Sequence, residues 1–184
     1  LLDAAVAVIA QKGLIGTTIN SIATEVECSY GVVSFHFNSK EGIILAALDY
    51  LVDDYDHTLM RETDKPADRL KNMMESDFSG KVASARRIAV WAAFWAESVR
   101  VPTYRERRAE VKARYVAVVK SDIETLAEAR GLTVDALQIS QSLNAMIDGF
   151  WIANLVNGTT AVAGQTVAKR ACLAYLRGIF PDDF

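Results

Sequence analysis

A short stretch of the chain carries several side chains that could read DNA. Ser29, Tyr30, Ser34 and His36 offer hydroxyl or ring-nitrogen groups that can bond to base edges or phosphates, and Gly31 permits close approach of the backbone. Two alternatives stay open at this point: Tyr30 as an exposed aromatic without a role, and His36 as a packed or solvent-facing histidine. The stretch predicts a DNA-reading surface, provided that these residues lie on one helix.

A second group of residues is suited to binding a small cation. Trp91, Phe94 and Trp95 stand at spacings of three and four, so a helix would place them on one face, and an aromatic face attracts a quaternary ammonium. Asp148 could supply a counter-charge, but it could equally satisfy a buried hydroxyl, a backbone amide or a partner chain. A purely structural aromatic core also remains open. The predicted effector-pocket residues are Trp91, Phe94, Trp95, Tyr104, Asn144, Asp148 and Trp151.

Capping residues define the helices that would position the reading residues. Thr17 or Thr18 can begin one short helix, Ser29 can begin a second that extends to about Phe35, and Asn38 with Glu41 suggests a capping box at the start of a third. Two capped helices this close together, followed by a long one, predict a helix-turn-helix.

The same stretch resembles a known family. T-I-x-x-I-A, S-x-G-x-x-S-x-x-F and K-E-G-I-I, within residues 17–45, resemble the DNA-binding segment of the TetR family of bacterial repressors. Residues 89–102 and 143–158 resemble the ligand-binding half of its BetI-type, choline-responsive branch. The resemblance implies that Thr18 and Lys40 hold phosphates, that the effector is a small molecule such as choline, and that two chains assemble as a dimer.

One residue of the stretch departs from the family pattern. Glu27 occupies the turn between the two short helices, where the family commonly has glycine. We therefore expect a non-glycine residue at positive φ, at a cost near ~1 kcal/mol, with a negative charge beside the reading helix.

Composition and charge limit the remaining functions. Residues 1–45 contain two lysines and four carboxylates, a poor balance for DNA binding, and we expect a basic arm to precede Leu1. The chain shows no membrane-spanning run, no metal or cofactor motif for Cys28 and Cys172, and no nucleophile–base pair. These features predict a cytoplasmic protein that is not an enzyme.

The whole pattern predicts an all-α protein of about nine helices. We expect a helix-turn-helix DNA-binding domain over residues 1–48 and an effector-binding and dimerisation domain over residues 49–184. Predicted ranges include a first helix ending before Gly13, a long helix from Ser39 to about Arg61, and a helix that Thr133 could cap. The last two helices are apolar around much of their circumference, which predicts a homodimer formed through them.

The predicted function is a ligand-responsive repressor that binds a palindromic operator as a dimer. A helical ligand-binding or interaction protein with weak or lost DNA binding is the alternative, and the negative charge of residues 1–45 supports it.

Overall fold

The computed structural model describes residues 1–59, 63, 65–159 and 162–184, and within them the chain forms nine helices and no strand. The prediction of an all-α fold is confirmed. The predicted end of the long helix near Arg61 lies outside the described residues. The helices are α1 Leu2–Gly16, α2 Ile19–Glu25, α3 Tyr30–Phe37, α4 Lys40–Leu59, α5 Pro66–Asp77, α6 Ala85–Ser98, α7 Pro102–Arg130, α8 Ala136–Val156 and α9 Val162–Ile179.

The chain divides into two compact units. The first contains residues 1–56 and 85–108, and the second contains residues 57–84 and 109–184. Helices α4 and α7 therefore contribute residues to both units. The functional boundary expected at residue 48 stays a prediction.

In the first unit, α1 packs against α2 and α6 and supplies much of the core. Its buried residues include Ala5, Val8 and Ile9, and Val33, Ile43 and Ile44 complete the apolar interior beneath the short helices. Gly13 has φ 67° and a non-helical backbone, so the interruption predicted at Gly13 is confirmed; beyond this kink a short helical segment continues α1 to Gly16.

The helix starts show which capping predictions were right. Thr18 caps α2, because its hydroxyl accepts a hydrogen bond from the Ser21 amide at 3.0 Å while Ser21 Oγ accepts from the Thr18 amide. The capping box at Asn38 was wrong. Asn38 ends α3 with φ 56°, and Ser39 Oγ accepts from the Gly42 amide at the start of α4. Thr133 was wrong as well, since Asp135 caps α8 by accepting from the Gln138 amide.

The second unit has its own core, in which α9 packs against α5 and α8. Leu70, Met73 and Met74 of α5 are buried, as are Leu143 and Ile147 of α8. The buried residues of α9 follow a helical stripe: Gln165, Ala168, Cys172 and Leu176. Within the described residues, no helix is long and apolar enough to cross a bilayer.

Candidate nucleic-acid interface and ligand site

Helices α2 and α3 pack together across a tight turn. Ile22 and Ala23 of α2 and Val33 of α3 are buried. The Cys28 amide donates to the Ala23 carbonyl at 2.9 Å, which closes the turn around Glu27 at φ 54°. The predicted positive φ at Glu27 is confirmed, and a side chain there carries strain that glycine would not.

The outward side of α3 is more apolar than the sequence suggested. Val33 is fully buried and Phe37 is half-buried, whereas Val32 is 45% exposed and Phe35 is 82% exposed. Val32, Phe35 and His36 stand at spacings of three and four, so they share one outward face. This face was not predicted from the sequence, although the four-residue spacing of Val33 and Phe37 indicates which side of α3 is buried.

The predicted DNA-binding residues all belong to the first unit. Thr18, Ser29, Tyr30, Gly31 and His36 are exposed, whereas Ser34 and Lys40 are half-buried. Ser29 precedes α3, but its side chain makes no capping bond. Lys40 Nζ donates to the Ile15 carbonyl at 2.8 Å, which places its charge beside the end of α1.

Four of the predicted effector residues form two aromatic pairs in the first unit. The ring centroids of Phe94 and Tyr104 lie 5.1 Å apart, and those of Trp91 and Trp95 lie 6.3 Å apart. Phe94 and Tyr104 are buried, which favours the packing role that the sequence left open, whereas both tryptophans are half-exposed. The Arg108 guanidinium lies 5.6 Å from the Trp95 ring centroid, so a cation of the chain itself already contacts this aromatic pair.

The other three predicted effector residues lie on α8 in the second unit. Asn144, Asp148 and Trp151 are spaced by four and three residues, so they share one face of the helix. Trp151 is buried and its indole nitrogen donates to the Asp77 carbonyl at 2.9 Å. Asn144 Oδ1 is buried and has no hydrogen-bond donor among the residues that the structure describes.

The structure adds Asp77 to this region, which no sequence pattern indicated, and places beside it Tyr115, a further aromatic candidate for the effector pocket. Asp77 is fully buried, and the Tyr115 hydroxyl donates to its Oδ2 at 3.3 Å. Burial raises the pKa of Tyr115 well above its usual value, and the charges of Asp77 and Asp148 raise it further. Burial, with Asp77 nearby, raises the pKa of Cys172 to about 12. We call Asp77, Tyr115, Asp148, Trp151 and Cys172 the Asp77 cluster.

Helices α8 and α9 also carry exposed apolar side chains on the second unit. Val156 is 77% exposed, Val162 79% and Val167 63%. The exposed residues of α9 lie between those of its buried stripe. Among the described residues, both helices therefore leave apolar side chains exposed to solvent.

The short helices α2 and α3, with the tight turn between them, form a helix-turn-helix, which places the chain in the class of helix-turn-helix regulators. Two family models support a narrower assignment. The model of bacterial regulatory proteins of the tetR family matches residues 1–47. The model of the C-terminal part of BetI-type transcriptional repressors matches residues 66–181. The chain belongs to the TetR family of bacterial transcriptional regulators, in its BetI-type branch.

Characterised relatives and solved structures agree with this assignment. The regulator BetI of Burkholderia mallei is 30% identical to this chain, over 94% of this chain and 86% of its own length. BetI of Paraburkholderia xenovorans is 29% identical, over 86% of this chain and 81% of its own length. These relatives are transcriptional regulators rather than enzymes.

Two crystal structures share the fold. A TetR regulator from Haloarcula marismortui has a TM-score of 0.84 at 20% identity, covering 95% of this chain and 93% of its own. A protein from Saccharomonospora viridis, described as a transcriptional regulator and solved in complex with choline, has a TM-score of 0.82 at 23% identity, covering 96% and 93%.

Proposed function

We propose that this regulator is a repressor that binds a palindromic operator as a dimer and is released by a small quaternary amine such as choline. The observation that carries the proposal is the contrast between two sites. The outward face of α3, with Val32, Phe35 and His36, is exposed and is here called the reading face; in the Asp77 cluster of the second unit, Asp77 is fully buried and Asp148 half-buried. The DNA-binding domain is assigned to residues 1–48 and the effector and dimerisation domain to residues 49–184.

Operator binding is assigned to the exposed residues around α3. Ser29, Tyr30 and His36 supply polar groups to the bases or the backbone, and Gly31 lets the helix approach closely. Ser34 is half-buried and reaches the DNA only from the edge of this face. Thr18, at the N-terminus of α2, and Lys40 hold phosphates. The Lys40 ammonium has three donors, and the bond to Ile15 uses one of them.

The salt dependence of binding tests this assignment. Fluorescence anisotropy on the promoter next to the gene should show operator affinity that falls as salt rises. Lys40→Ala should weaken binding to every sequence and reduce the salt slope by about one unit, because one phosphate contact is lost. Lys120→Ala, on a lysine paired with Glu124 in the second unit, is the matched control and should leave the slope unchanged.

Effector binding is assigned to the face of α8 that carries Asn144, Asp148 and Trp151. The buried Asn144 oxygen can accept a hydrogen bond from the hydroxyl of choline, while carboxylates of the Asp77 cluster offset the ammonium charge. An indole face adds cation–π attraction. The BetI-type match and the choline complex of the Saccharomonospora viridis protein support this choice of ligand.

A charge-deleted ligand gives a sharp test of the effector. Titration calorimetry should detect binding of choline but little binding of 3,3-dimethylbutan-1-ol, which has the same shape without the charge. Asp148→Asn and Asn144→Ala should each weaken choline binding at least about tenfold and leave operator affinity intact, at ~1.4 kcal/mol per tenfold. Gln141→Ala, on an exposed position of α8, is the control. Equal binding of both ligands would remove the cationic effector from the proposal and leave the repressor assignment standing.

The aromatic pairs of the first unit remain predicted effector contacts, and half-exposed Trp91 is the one to test. Trp91→Ala should weaken release from the operator by choline without changing operator affinity. Unchanged release would leave these aromatics with a packing role only.

Dimerisation is assigned to α8 and α9. Their exposed valines would be covered by the same helices of a second copy, and a two-fold dimer places two α3 helices on half-sites about one DNA turn apart. Val167→Asp should therefore produce monomers in sedimentation equilibrium and abolish operator binding. Val99→Asp, on a valine of the first unit that is also exposed, should leave the dimer unchanged.

The second function, a helical ligand-binding protein with lost DNA binding, is favoured by one observation. The charge of residues 1–45 is net negative, and Glu27 lies beside α3. Choline binding without sequence-specific DNA binding at low salt would establish this second function instead.

A further inference from the structure

Phe35 is the most exposed large apolar side chain of the reading face. It is 82% exposed on α3, and Tyr30 and Val32 of the same helix are 53% and 45% exposed. Single exposed apolar residues are common on protein surfaces. Val32 and Phe35 stand three residues apart, so they lie next to each other on the helix surface, on a side away from the fully buried Val33.

The composition of α3 restricts how it could read bases. Direct readout commonly uses arginine or lysine on guanine and asparagine or glutamine on adenine, through paired hydrogen bonds. Helix α3, with the sequence YGVVSFHF, contains none of these residues. Hydroxyls, one imidazole and apolar side chains are the only groups with which this helix can distinguish bases.

Thymine is the base that an apolar side chain recognises. Its C5-methyl group projects into the major groove, and no other DNA base presents a methyl there. Accepting the proposed function, under which α3 enters the major groove, we propose that Phe35, with Val32 beside it, specifies a thymine in each half-site by packing against this methyl group.

Neighbouring groups on α3 favour DNA over a protein partner for Val32 and Phe35. The imidazole of His36 meets the Phe35 ring in an edge-to-face arrangement, with centroids 5.7 Å apart, and this contact restricts the ring before binding. Gly31 has no side chain to hold the helix away from a groove, and the nearest atom to an added Cβ there is Ser29 Oγ at 3.8 Å. A face that combines Ser29, Gly31, His36 and Phe35 matches the mixture of polar edges and methyl groups in a major groove.

The experiment replaces thymine by deoxyuridine, which removes only the methyl group. A duplex is first selected from a random-sequence pool by the full-length chain. Each dT of one half-site is then replaced by dU and the affinity is measured. The wild-type protein should lose about fourfold at one position, corresponding to about 0.8 kcal/mol for one methyl-sized group. Phe35→Ala should bind the dT and dU duplexes equally, and a pool selected with it should lose thymine at that position.

A matched variant and a folding control complete the experiment. Val99→Ala, which changes an exposed apolar residue outside α3, should keep the wild-type preference for dT. Phe35→Ala should melt at the wild-type temperature, so that a change in reading is not a change in folding.

The outcomes separate this inference from the proposed function. Sequence-specific binding without any dT preference, or the same preference in Phe35→Ala, would overturn the role of Phe35 and leave the repressor assignment intact; the exposed ring would then suit a protein partner. Failure to select any duplex would overturn both.

Discussion

The reading face of α3 and the Asp77 cluster of the second unit place their functional groups in opposite environments. On α3, Tyr30, Phe35 and His36 are exposed, and the helix is held from behind by Val33. In the Asp77 cluster, Asp77 is fully buried and Trp151 nearly so; the Trp151 indole donates to the Asp77 backbone carbonyl, and the Asp77 carboxylate accepts from Tyr115. The surface proposed to meet DNA can therefore change its side chains without loss of stability. The proposed ligand site, built inside a core, must first satisfy its own polar groups.

The largest expected effect contrasts one aromatic residue from each region. Trp151→Ala removes a buried indole and its bond to Asp77, so we expect the free energy of unfolding to fall by about 3–5 kcal/mol. Phe35→Ala removes an exposed ring, and the change should stay within about 0.5 kcal/mol. Urea denaturation of the two variants measures both values. If Trp151→Ala lowers the free energy of unfolding by less than about 1 kcal/mol, the Asp77 cluster is not a packed core, and the expected difference in stability between the cluster and α3 does not hold.

A smaller effect concerns the Tyr115 hydroxyl and its pH dependence. Tyr115→Phe removes the bond to Asp77 and should lower the free energy of unfolding by about 1–3 kcal/mol near neutral pH. Because the pKa of Tyr115 is raised in the folded protein, its stabilising contribution is complete below the unfolded pKa near ~10 and is lost as the pH rises above it.

The difference between the wild type and Tyr115→Phe should therefore narrow in denaturation series above pH ~10. Both proteins retain Cys172, whose pKa is raised to about 12, so its own alkaline loss of stability cancels in the comparison. A difference that stays constant at alkaline pH would mean that the Tyr115 phenol ionises as easily in the folded chain as in the unfolded one.

The sequence predicted the features that depend on near neighbours. Thr18 caps α2 through Ser21, and Glu27 has positive φ in the turn before α3, because each feature depends on only a few adjacent residues. Errors occurred where several polar side chains compete for one cap. Asn38 and Ser39 are adjacent, and Thr133 and Asp135 are separated only by Val134; the backbone selects the side chain whose oxygen reaches the free amide.

The sequence could not predict the partners within the Asp77 cluster. Asp77 is 74 residues from Trp151 and 38 from Tyr115, so no helical spacing connects them. The polar residues of α3 were predicted to contact DNA, whereas Phe35 was not, since a phenylalanine in a short apolar helix is ordinarily assigned to the core. The phase of the helix, set by buried Val33, determines which apolar residues face outward.

The smallest expected effect concerns the turn before α3. It tests whether residues of this turn can change without lowering the free energy of unfolding, as is expected for the exposed residues of α3. Glu27, in the turn before α3, has φ 54°, which a glycine adopts without strain, so Glu27→Gly should raise the free energy of unfolding by about 0.5–1 kcal/mol. It should also strengthen operator binding, because a negative charge is removed next to the DNA.

Glu27→Gln separates the two causes, since it removes the charge and keeps a side chain at positive φ. It should strengthen operator binding about as much as glycine does, with the stability of the wild type. Glu25→Gly, at the last residue of α2, should instead lower stability, because glycine weakens a helix by about 1 kcal/mol. Suppose that Glu27→Gly stabilises the protein, and that Glu27→Gln improves operator binding as much as Glu27→Gly does without changing stability. The backbone strain at Glu27 then affects stability, and its charge independently affects operator binding. If Glu27→Gly destabilises the protein, the glutamate side chain contributes to folding, and the contrast with the Asp77 cluster applies to α3 but not to its turn.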